Sequence, residues 1–245
     1  MEPLVERDIE LAAIGDLIRR ATRGSSGVLL VEGPAGVGKT RLLQAVADLA
    51  RDEPVGLLQA RGGELERSFP FGIAVQLFGA AVSALDAEQR ATVLSGAAEL
   101  AVEIIAPGAG TEVAAASSDE ALYARLHGLY WLCAGLAAQR PLVLVIDDAH
   151  WADEPSLQWL LFMARRVREM PVTLVLGARP AGARDWPEAL ALVRDQAGVA
   201  LITPQPLTEP ASGILIGRLL EAKPEEEFRA ACHHVTGGNP SCSRS

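Results

Sequence analysis

Two kinds of apolar pattern alternate along this chain. Short, unbroken and β-branched runs predict buried strands, whereas apolar residues spaced three or four apart predict helices that bury one face. The first kind occurs at 28–31, 55–60, 142–146, 172–178 and 199–202. The second kind occurs at 9–20, 41–50, 119–139, 156–168, 186–196, 209–220 and 224–235, and residues 70–105 are rich in alanine and leucine and are also predicted to be helical. Unbroken apolar strands that alternate with helices predict an α/β fold with a parallel sheet covered on both faces.

Polar and glycine-rich segments separate these elements. Asp8 is predicted to cap the first helix, and residues 24–27 to form a turn into the first strand. Pro107-Gly108-Ala109-Gly110 breaks the long helical region, and residues 114–118 are predicted to form a flexible loop whose Ser118 caps the next helix. The segment 204–206, with two prolines, is predicted to be a hinge or linker. We therefore expect one large domain over 1–205 and the beginning of a second, helical part over 206–245.

The loop between the first strand and the second helix carries the strongest chemical signal. It fits the phosphate-binding pattern G-x-x-x-x-G-K-[ST] at every fixed position. The predicted nucleotide-binding residues are those of the pattern and the next residue: Gly33, Pro34, Ala35, Gly36, Val37, Gly38, Lys39, Thr40 and Arg41. A strand, a glycine loop and a helix together direct backbone N–H groups and a helix N-terminus at a polyphosphate. Lys39 is one of only two lysines in the chain, which suits a compact charge that must reach the phosphates. The alternative is a glycine turn that matches the pattern by chance.

Composition and charge exclude other classes of function. The net charge is −9 and no basic stripe is visible, so the chain is a poor candidate for binding a nucleic-acid backbone unaided. The charged N-terminus lacks the apolar region of a signal peptide, and no apolar run is long enough to span a membrane. The three cysteines are scattered, without a C-x-x-C pair. A reducing cytoplasmic location is the expected one, without a membrane partner.

Two adjacent acids follow the third strand. A nucleotide in a phosphate loop brings Mg²⁺, which requires a carboxylate at the end of a neighbouring strand. Asp147 is the predicted metal ligand together with the Thr40 hydroxyl, and Asp148 is the predicted base that orients or deprotonates an attacking water. The alternative is that one of the two acids is merely solvated.

Arg179 follows the fourth strand and is predicted to reach the same edge of the sheet, where a guanidinium can sense a γ-phosphate. The alternative is an ordinary surface arginine. His150 is expected either to relay the state of the site or to pack, and the four histidines have no metal-ligand spacing. Trp151 and Trp159 are expected to be packing residues.

The ordered motifs resemble the AAA-like ATPase module of STAND-class signal-transduction NTPases, and in particular the N-terminal module of large ATP-binding LuxR-family regulators. Besides the phosphate loop, the matching stretches are 4–8 with 10–11, 60–66 with 69–72, 147–153, 177–180, 206–208 and 236–240. They span nearly the whole chain in the order of the family. Each is weak alone except the phosphate loop, and the ordered set is specific.

This resemblance implies further roles. Val5, Glu6 and Arg7 would lie beside the adenine and ribose, Arg179 would be the sensor arginine, and Pro240 would be the lid proline that touches the base. The family uses exchange of ATP and ADP as a slow switch that couples a sensor to an output domain, with a protein partner or further C-terminal domains reading the result. Nucleotide-dependent self-association is also expected on this basis.

The chain departs from the family pattern after Pro240. The family continues into an apolar helix, whereas residues 241–245 are polar. This ending resembles a truncation, a frameshift or a designed boundary, so the helical lid would be barely begun and the DNA-binding part absent.

Three functions remain open from the sequence. The first is a regulatory ATPase that binds ATP·Mg²⁺ and hydrolyses it slowly. The second is a P-loop kinase acting on a small molecule, although the region 68–139 is apolar and suits helix packing better than an acceptor pocket. The third is a remnant that binds nucleotide without turnover. ATP rather than GTP is expected from the resemblance, since no guanine-reading N-K-x-D stretch is present.

Overall fold

The protein is described here from a computed structural model, which describes residues 4–106, 119–182, 186–222 and 224–240. The predicted break at 107–110, the predicted loop at 114–118 with its Ser118 cap, and the polar ending at 241–245 lie outside these residues. Within them the chain forms a parallel sheet with helices on both faces, which confirms the predicted fold class.

The sheet has five parallel strands. In chain order they are β1 (Gly27–Glu32), β2 (Gly56–Arg61), β3 (Leu142–Asp147), β4 (Val172–Ala178) and β5 (Val199–Ile202). The spatial order is β2-β3-β4-β1-β5. The strand that leads into the phosphate loop, β1, therefore pairs with β4 and β5 and not with β3. The expectation that Asp147 ends a strand neighbouring the loop was wrong in this detail, because β4 is inserted between the two strands.

The described residues form ten α-helices. They are α1 (Asp8–Thr22), α2 (Lys39–Arg51), α3 (Gly72–Ser83), α4 (Ala87–Val93), α5 (Val102–Ile105), α6 (Asp119–Gln139), α7 (Glu154–Arg166), α8 (Glu188–Arg194), α9 (Glu209–Leu220) and α10 (Glu226–Thr236). The last two form the predicted helical part at the C-terminal side. No helix among the described residues has the length and apolar character needed to cross a membrane.

One helix prediction was wrong in its detail and another was confirmed. Asp8 lies in the first turn of α1 and does not cap it; the N-cap is Arg7, which makes no side-chain capping hydrogen bond. The region 70–105 is largely helical, as predicted, and Asp86 divides it: this residue accepts a hydrogen bond from the Gln89 N–H and starts a separate helix, α4, with a reciprocal capping box. In this capping box the side chains of Asp86 and Gln89 each accept a hydrogen bond from the backbone N–H of the other residue, so the first turn of α4 has partners for these N–H groups.

The strands divide the apolar core into two layers, because successive side chains of a strand point to opposite faces. In β3, Leu144 belongs to the larger cluster, which also contains residues of α3, α6, α7 and α8. Val143 and Val145 belong to the second cluster, with residues of α1 and α2. Trp159 is fully buried in the larger layer, as predicted for a packing residue, and meets Phe78 edge-on at 5.5 Å. The two layers leave the loops at the carboxyl ends of the strands free to carry polar groups.

Candidate functional site

The phosphate loop turns sharply between β1 and α2. The Gly33 N–H donates to the Ala178 carbonyl at 3.2 Å, which joins the start of the loop to the end of β4. Gly36 and Gly38 have φ values of 80° and 105°, a region that glycine adopts without the steric cost that other residues incur. Helix α2 begins directly at Lys39. The backbone therefore delivers a helix N-terminus to the mouth of the loop, where anions are stabilised.

Lys39 lies inside the curve of this loop. Its side chain is buried, and Nζ donates to the carbonyl oxygens of Gly33 at 2.8 Å and Pro34 at 2.9 Å. Burial lowers the pKa of the ammonium group, the charges of Asp148 and Asp147 raise it, and Arg179 lowers it again. The four charged groups that the sequence singled out thus act on one another electrostatically at one edge of the sheet.

The Thr40 hydroxyl and the Asp147 carboxylate are in direct contact. Thr40 Oγ1 donates to Asp147 Oδ2 at 2.8 Å, and Asp147 Oδ1 accepts from the backbone N–H of Asp148 at 2.9 Å. Gly177 on β4 makes room for this carboxylate, since a Cβ there would approach Asp147 Oδ1 to 3.1 Å. A hydroxyl and a carboxylate are hard oxygen donors, and they fit Mg²⁺, which in such sites usually takes its other ligands from phosphate and water.

Asp148 adopts an unusual backbone conformation just beyond β3. Its φ and ψ are 49° and 38°, in the left-handed region that non-glycine residues seldom adopt. Its carboxylate accepts hydrogen bonds from Arg61 Nε at 3.1 Å and Arg61 Nη2 at 2.8 Å. Hydrogen bonding to Asp148 and its negative charge raise the pKa of Arg61 above its usual value. Asp148 therefore lies at the site with its carboxylate held by a cation from the end of β2.

Arg179, His150 and Trp151 form a contact group beside these acids. The backbone N–H of Arg179 donates to His150 Nδ1 at 3.4 Å. The guanidinium of Arg179 lies 4.9 Å from the centroid of the Trp151 ring. The guanidinium of Arg67 lies 5.3 Å from the same centroid. Burial lowers the pKa of His150 to about 4, so the imidazole is neutral at neutral pH. Trp151 is half-buried, and two arginine side chains lie over its ring. The sequence had predicted only a packing role for this residue.

The N-terminal strip Val5, Glu6 and Arg7 lies beside the phosphate loop. The buried Arg7 guanidinium donates to the carbonyl oxygens of Val37 at 3.2 Å and Gln205 at 2.7 Å. Glu6 accepts hydrogen bonds from the N–H and the hydroxyl of Thr208, which lower the pKa of its carboxyl group. The strip thus connects the loop to Gln205 in the predicted hinge at 204–206 and to Thr208, which caps α9.

The other two predicted contacts of the nucleotide are Arg41 and Pro240. Arg41 is exposed on the first turn of α2, and Pro240 is half-buried after α10. Asn239 Nδ2 donates to the Ala35 carbonyl at 2.9 Å, so the segment that carries Pro240 touches the phosphate loop.

Sequence reasoning missed several residues of the site. Arg61, Asn239 and Asp153 all reach partners far along the chain, and spacing gives no signal for such pairs. Glu32 is a further case: it is buried at the end of β1, accepts from the Ala181 N–H, and pairs with Arg194 at 2.9 Å. Glu32 could have been predicted as a site residue, because it is an acid at the end of an otherwise apolar strand.

The chain matches a known protein family and one longer relative. The family model described as AAA ATPase domain matches residues 3–176. Uncharacterized protein R02095 of Rhizobium meliloti (strain 1021) is 27% identical over an alignment that covers 76% of this chain and 19% of that protein. The chain therefore spans about a fifth of the length of this relative.

Solved structures show the same fold at low sequence identity. Aeropyrum pernix ORC1, solved in complex with DNA, has a TM-score of 0.57 and 19% identity, and the match covers 100% of this chain and 59% of that one. Thermotoga maritima RuvB, a Holliday junction branch migration motor, has a TM-score of 0.52 and 14% identity, with coverage of 98% and 60%. The STAND protein PH0952 of Pyrococcus horikoshii, which has a tetratricopeptide repeat sensor, has a TM-score of 0.50 and 18% identity, with coverage of 98% and 29%.

Proposed function

Because the chain belongs to the AAA ATPase domain family, we propose that it binds ATP with Mg²⁺, hydrolyses it slowly, and serves as the regulatory switch of a LuxR-type transcriptional regulator. The observation that carries the ATPase part is the contact between Thr40 on the phosphate loop and Asp147 on β3. That contact joins the phosphate-binding and metal-binding halves of one site. ATP rather than another nucleotide rests on the family and on the resemblance of the motifs.

Each predicted residue has a role in this proposal. The loop from Gly33 to Thr40 binds the phosphates through backbone N–H groups, and Lys39 exchanges its carbonyl partners for phosphate oxygens. Thr40 and Asp147 hold the Mg²⁺, which supplies neutralisation of the charge that develops on the phosphate oxygens. Asp148 accepts the proton of the attacking water or orients it. Arg179 stabilises the γ-phosphate.

The switch part rests on contacts between the loop and the C-terminal helical segment. Arg7 joins Val37 to Gln205, Glu6 binds Thr208, and Asn239 binds Ala35. A change in the loop on nucleotide exchange would alter these bonds directly, because each has one partner in the loop or the strip beside it. We assign residues 1–205 to the ATPase domain and 206–245 to the beginning of its lid, with Val5 to Arg7, Arg41 and Pro240 near the nucleotide.

The output would be read by other protein domains or by a partner. The relative from Rhizobium meliloti is long enough to hold such domains, since the match covers 19% of that protein. With a net charge of −9, this chain is not proposed to bind DNA itself. Nucleotide-dependent association between copies, and a cytoplasmic location, belong to the same proposal.

One observation favours a second candidate function, nucleotide binding without turnover. The carboxylate of Asp148 is already engaged by two nitrogen atoms of Arg61. A base held in this way is less available to an attacking water. If the ion pair persists with ATP bound, the module would hold nucleotide and hydrolyse it only when a partner separates the pair.

Phosphate release and nucleotide binding on four proteins test the proposal. The wild type should bind ATP in a Mg²⁺-dependent manner and release phosphate without an added acceptor. Lys39→Ala should lose most of the ATP affinity, Asp147→Ala should lose the dependence on Mg²⁺, and Asp148→Asn should retain binding and lose turnover. ATP binding by Lys39→Ala equal to the wild type would refute the site, and consumption of ATP only with an added acceptor would indicate a kinase.

Arg61→Ala separates the two candidate functions. If the ion pair restrains Asp148, this variant should release phosphate faster than the wild type at equal ATP affinity. Tight binding by the wild type with no release, together with release by Arg61→Ala, would favour the second candidate.

A further inference from the structure

A cavity of about 480 Å³ lies at the amino ends of β1 and β5, at the edge of the sheet opposite to the phosphate loop. Gly27 and Val28 of β1 and Val199 of β5 form part of its wall. Strand β1 has six residues, which places the cavity roughly 20 Å from the phosphate loop at the other end of the strand. The cavity is therefore separate from the site described above.

Three arginines line this cavity: Arg20 in the last turn of α1, Arg165 in the last turn of α7, and Arg168 in the short turn that follows. None of its lining residues is an acid, in a chain whose net charge is −9. In the part of the chain that the structure describes, none of the three arginines has an ion pair or a side-chain hydrogen bond. Three exposed arginines thus border one cavity, and none of them has an ion pair among the described residues.

Two further features of the lining suit an anion. The Gln196 side-chain nitrogen is buried and has no hydrogen-bond partner among the described residues, so an acceptor atom in the cavity would satisfy it. Gly198 has a φ of 90°, and a Cβ there would come within 2.6 Å of Arg168 Nη2. The guanidinium of Arg168 thus packs against the Gly198 backbone, which limits where its donors can point.

We propose that this cavity binds a small phosphorylated anion. Guanidinium groups bind phosphate through paired N–H donors, which gives both geometry and charge. The volume lies within the range of small-molecule sites, about 300–1,000 Å³. Inorganic phosphate groups and phosphate esters share this chemistry. Arginines near a helix C-terminus are also stabilised by the helix dipole without any ligand. The test must therefore show that an anion binds between these arginines.

Hydrogen–deuterium exchange on the full chain saturated with ADP provides the test, because it reports where a probe binds. Inorganic pyrophosphate should slow exchange at 164–168 and 196–199 in a saturable manner. A sugar bisphosphate should do the same if the site accepts phosphate esters; protection by pyrophosphate alone would assign the site to inorganic phosphates. Protection confined to the phosphate loop, or none in either segment, would overturn the proposal.

Matched variants complete the test. The double variant Arg165→Gln/Arg168→Gln should raise the half-saturating pyrophosphate concentration by about tenfold or more, because two charged hydrogen-bond donors are lost. The control Arg19→Gln/Arg51→Gln removes the same charge from exposed arginines that pair with Asp16 and Asp48, and it should change the concentration less than about twofold.

Equal loss in both double variants would show only nonspecific attraction and would overturn the proposal. Citrate protecting the two segments as strongly as pyrophosphate would overturn the assignment to phosphate. If the double variant fails to fold, the single variant Arg165→Gln changes one exposed residue and gives the same comparison with Arg19→Gln.

Discussion

Asp153 is expected to contribute more to stability than any exposed helix cap of this protein. Its carboxylate is buried at the N-terminus of α7 and accepts three backbone N–H groups: from Ser156 at 2.9 Å, Phe71 at 2.7 Å and Gly72 at 2.9 Å. Phe71 is fully buried with a φ of 61°, so the carboxylate also holds a turn that non-glycine residues seldom form. One side chain thus joins α7, which follows the site loop, to the start of α3.

The magnitude follows from these bonds. Asp153→Ala leaves the N–H groups of Phe71 and Ser156 without a partner, whereas Gly72 keeps its longer bond to the Phe69 carbonyl at 3.3 Å. Each buried unsatisfied group costs about 1–3 kcal/mol, and allowing for water that enters the space left by the carboxylate, we expect a loss of about 2–4 kcal/mol in the free energy of unfolding. Asp86→Ala is the matched control, because Asp86 caps α4 on the surface and accepts one N–H bond from Gln89 at 2.8 Å. Its loss should be about 1 kcal/mol.

Urea denaturation followed by circular dichroism measures both losses under the same conditions. The m-value should stay constant, so that a shift in midpoint reports stability alone. Asp153→Asn keeps one acceptor oxygen and should fall between the wild type and Asp153→Ala. A loss at Asp153 no larger than the loss at Asp86 would refute the reasoning, because the three buried bonds would then carry no extra energy.

Three further predictions concern buried groups. Gly177→Ala places a Cβ 2.6 Å from Leu43 Cδ1 and 3.1 Å from Asp147 Oδ1, so thermal denaturation should show a loss of about 1–3 kcal/mol and phosphate release should fall; unchanged values would mean that the neighbours move freely. The pKa of buried His150 is lowered to about 4, so the unfolded chain binds more protons between pH 6.5 and 4 and stability should fall as pH falls through that window; the same decline in His150→Gln would assign it to other groups. Burial raises the pKa of Cys133 to about 12, so stability should fall as pH rises from about 9 towards 12, and iodoacetamide should leave this thiol unmodified in the native chain at pH 8, as mass spectrometry would show; rapid alkylation would contradict its burial.

The central strands β1, β3 and β4 could be predicted to within one residue at each end because their burial on both faces leaves an unbroken apolar run. Helix ends were less exact, since α2 begins at Lys39 inside the loop motif and α8 spans only Glu188–Arg194 of a longer predicted helix. The helical character of 70–105 could be predicted from its alanine and leucine, whereas its division by the capping box at Asp86 was not predicted. The sequence pattern therefore predicted those features that depend on interactions between residues close together in the chain.

The missing parts of the site depend on contacts between distant residues. Arg61 and Asp148 are 87 residues apart, and Asn239 reaches Ala35 across 204 residues. The motif predicted Lys39 and Thr40 because its spacing repeats a fixed local geometry, whereas Asp147 was predicted from its place at the end of an apolar strand. Nothing in the order of residues indicates which arginine will meet Asp148, since the pairing depends on β2 lying beside β3.

The inserted strand β4 sets the width of the cleft. Parallel neighbours lie about 4.8 Å apart, so the backbones of β1 and β3 are separated by two such spacings, roughly 10 Å. This gap is bridged by the Thr40 and Asp147 side chains, and the chain that leaves β4 enters it from the middle with Arg179. A ligand that contacted both Thr40 and Asp147 would thus span the end of β4, the strand that Arg179 follows.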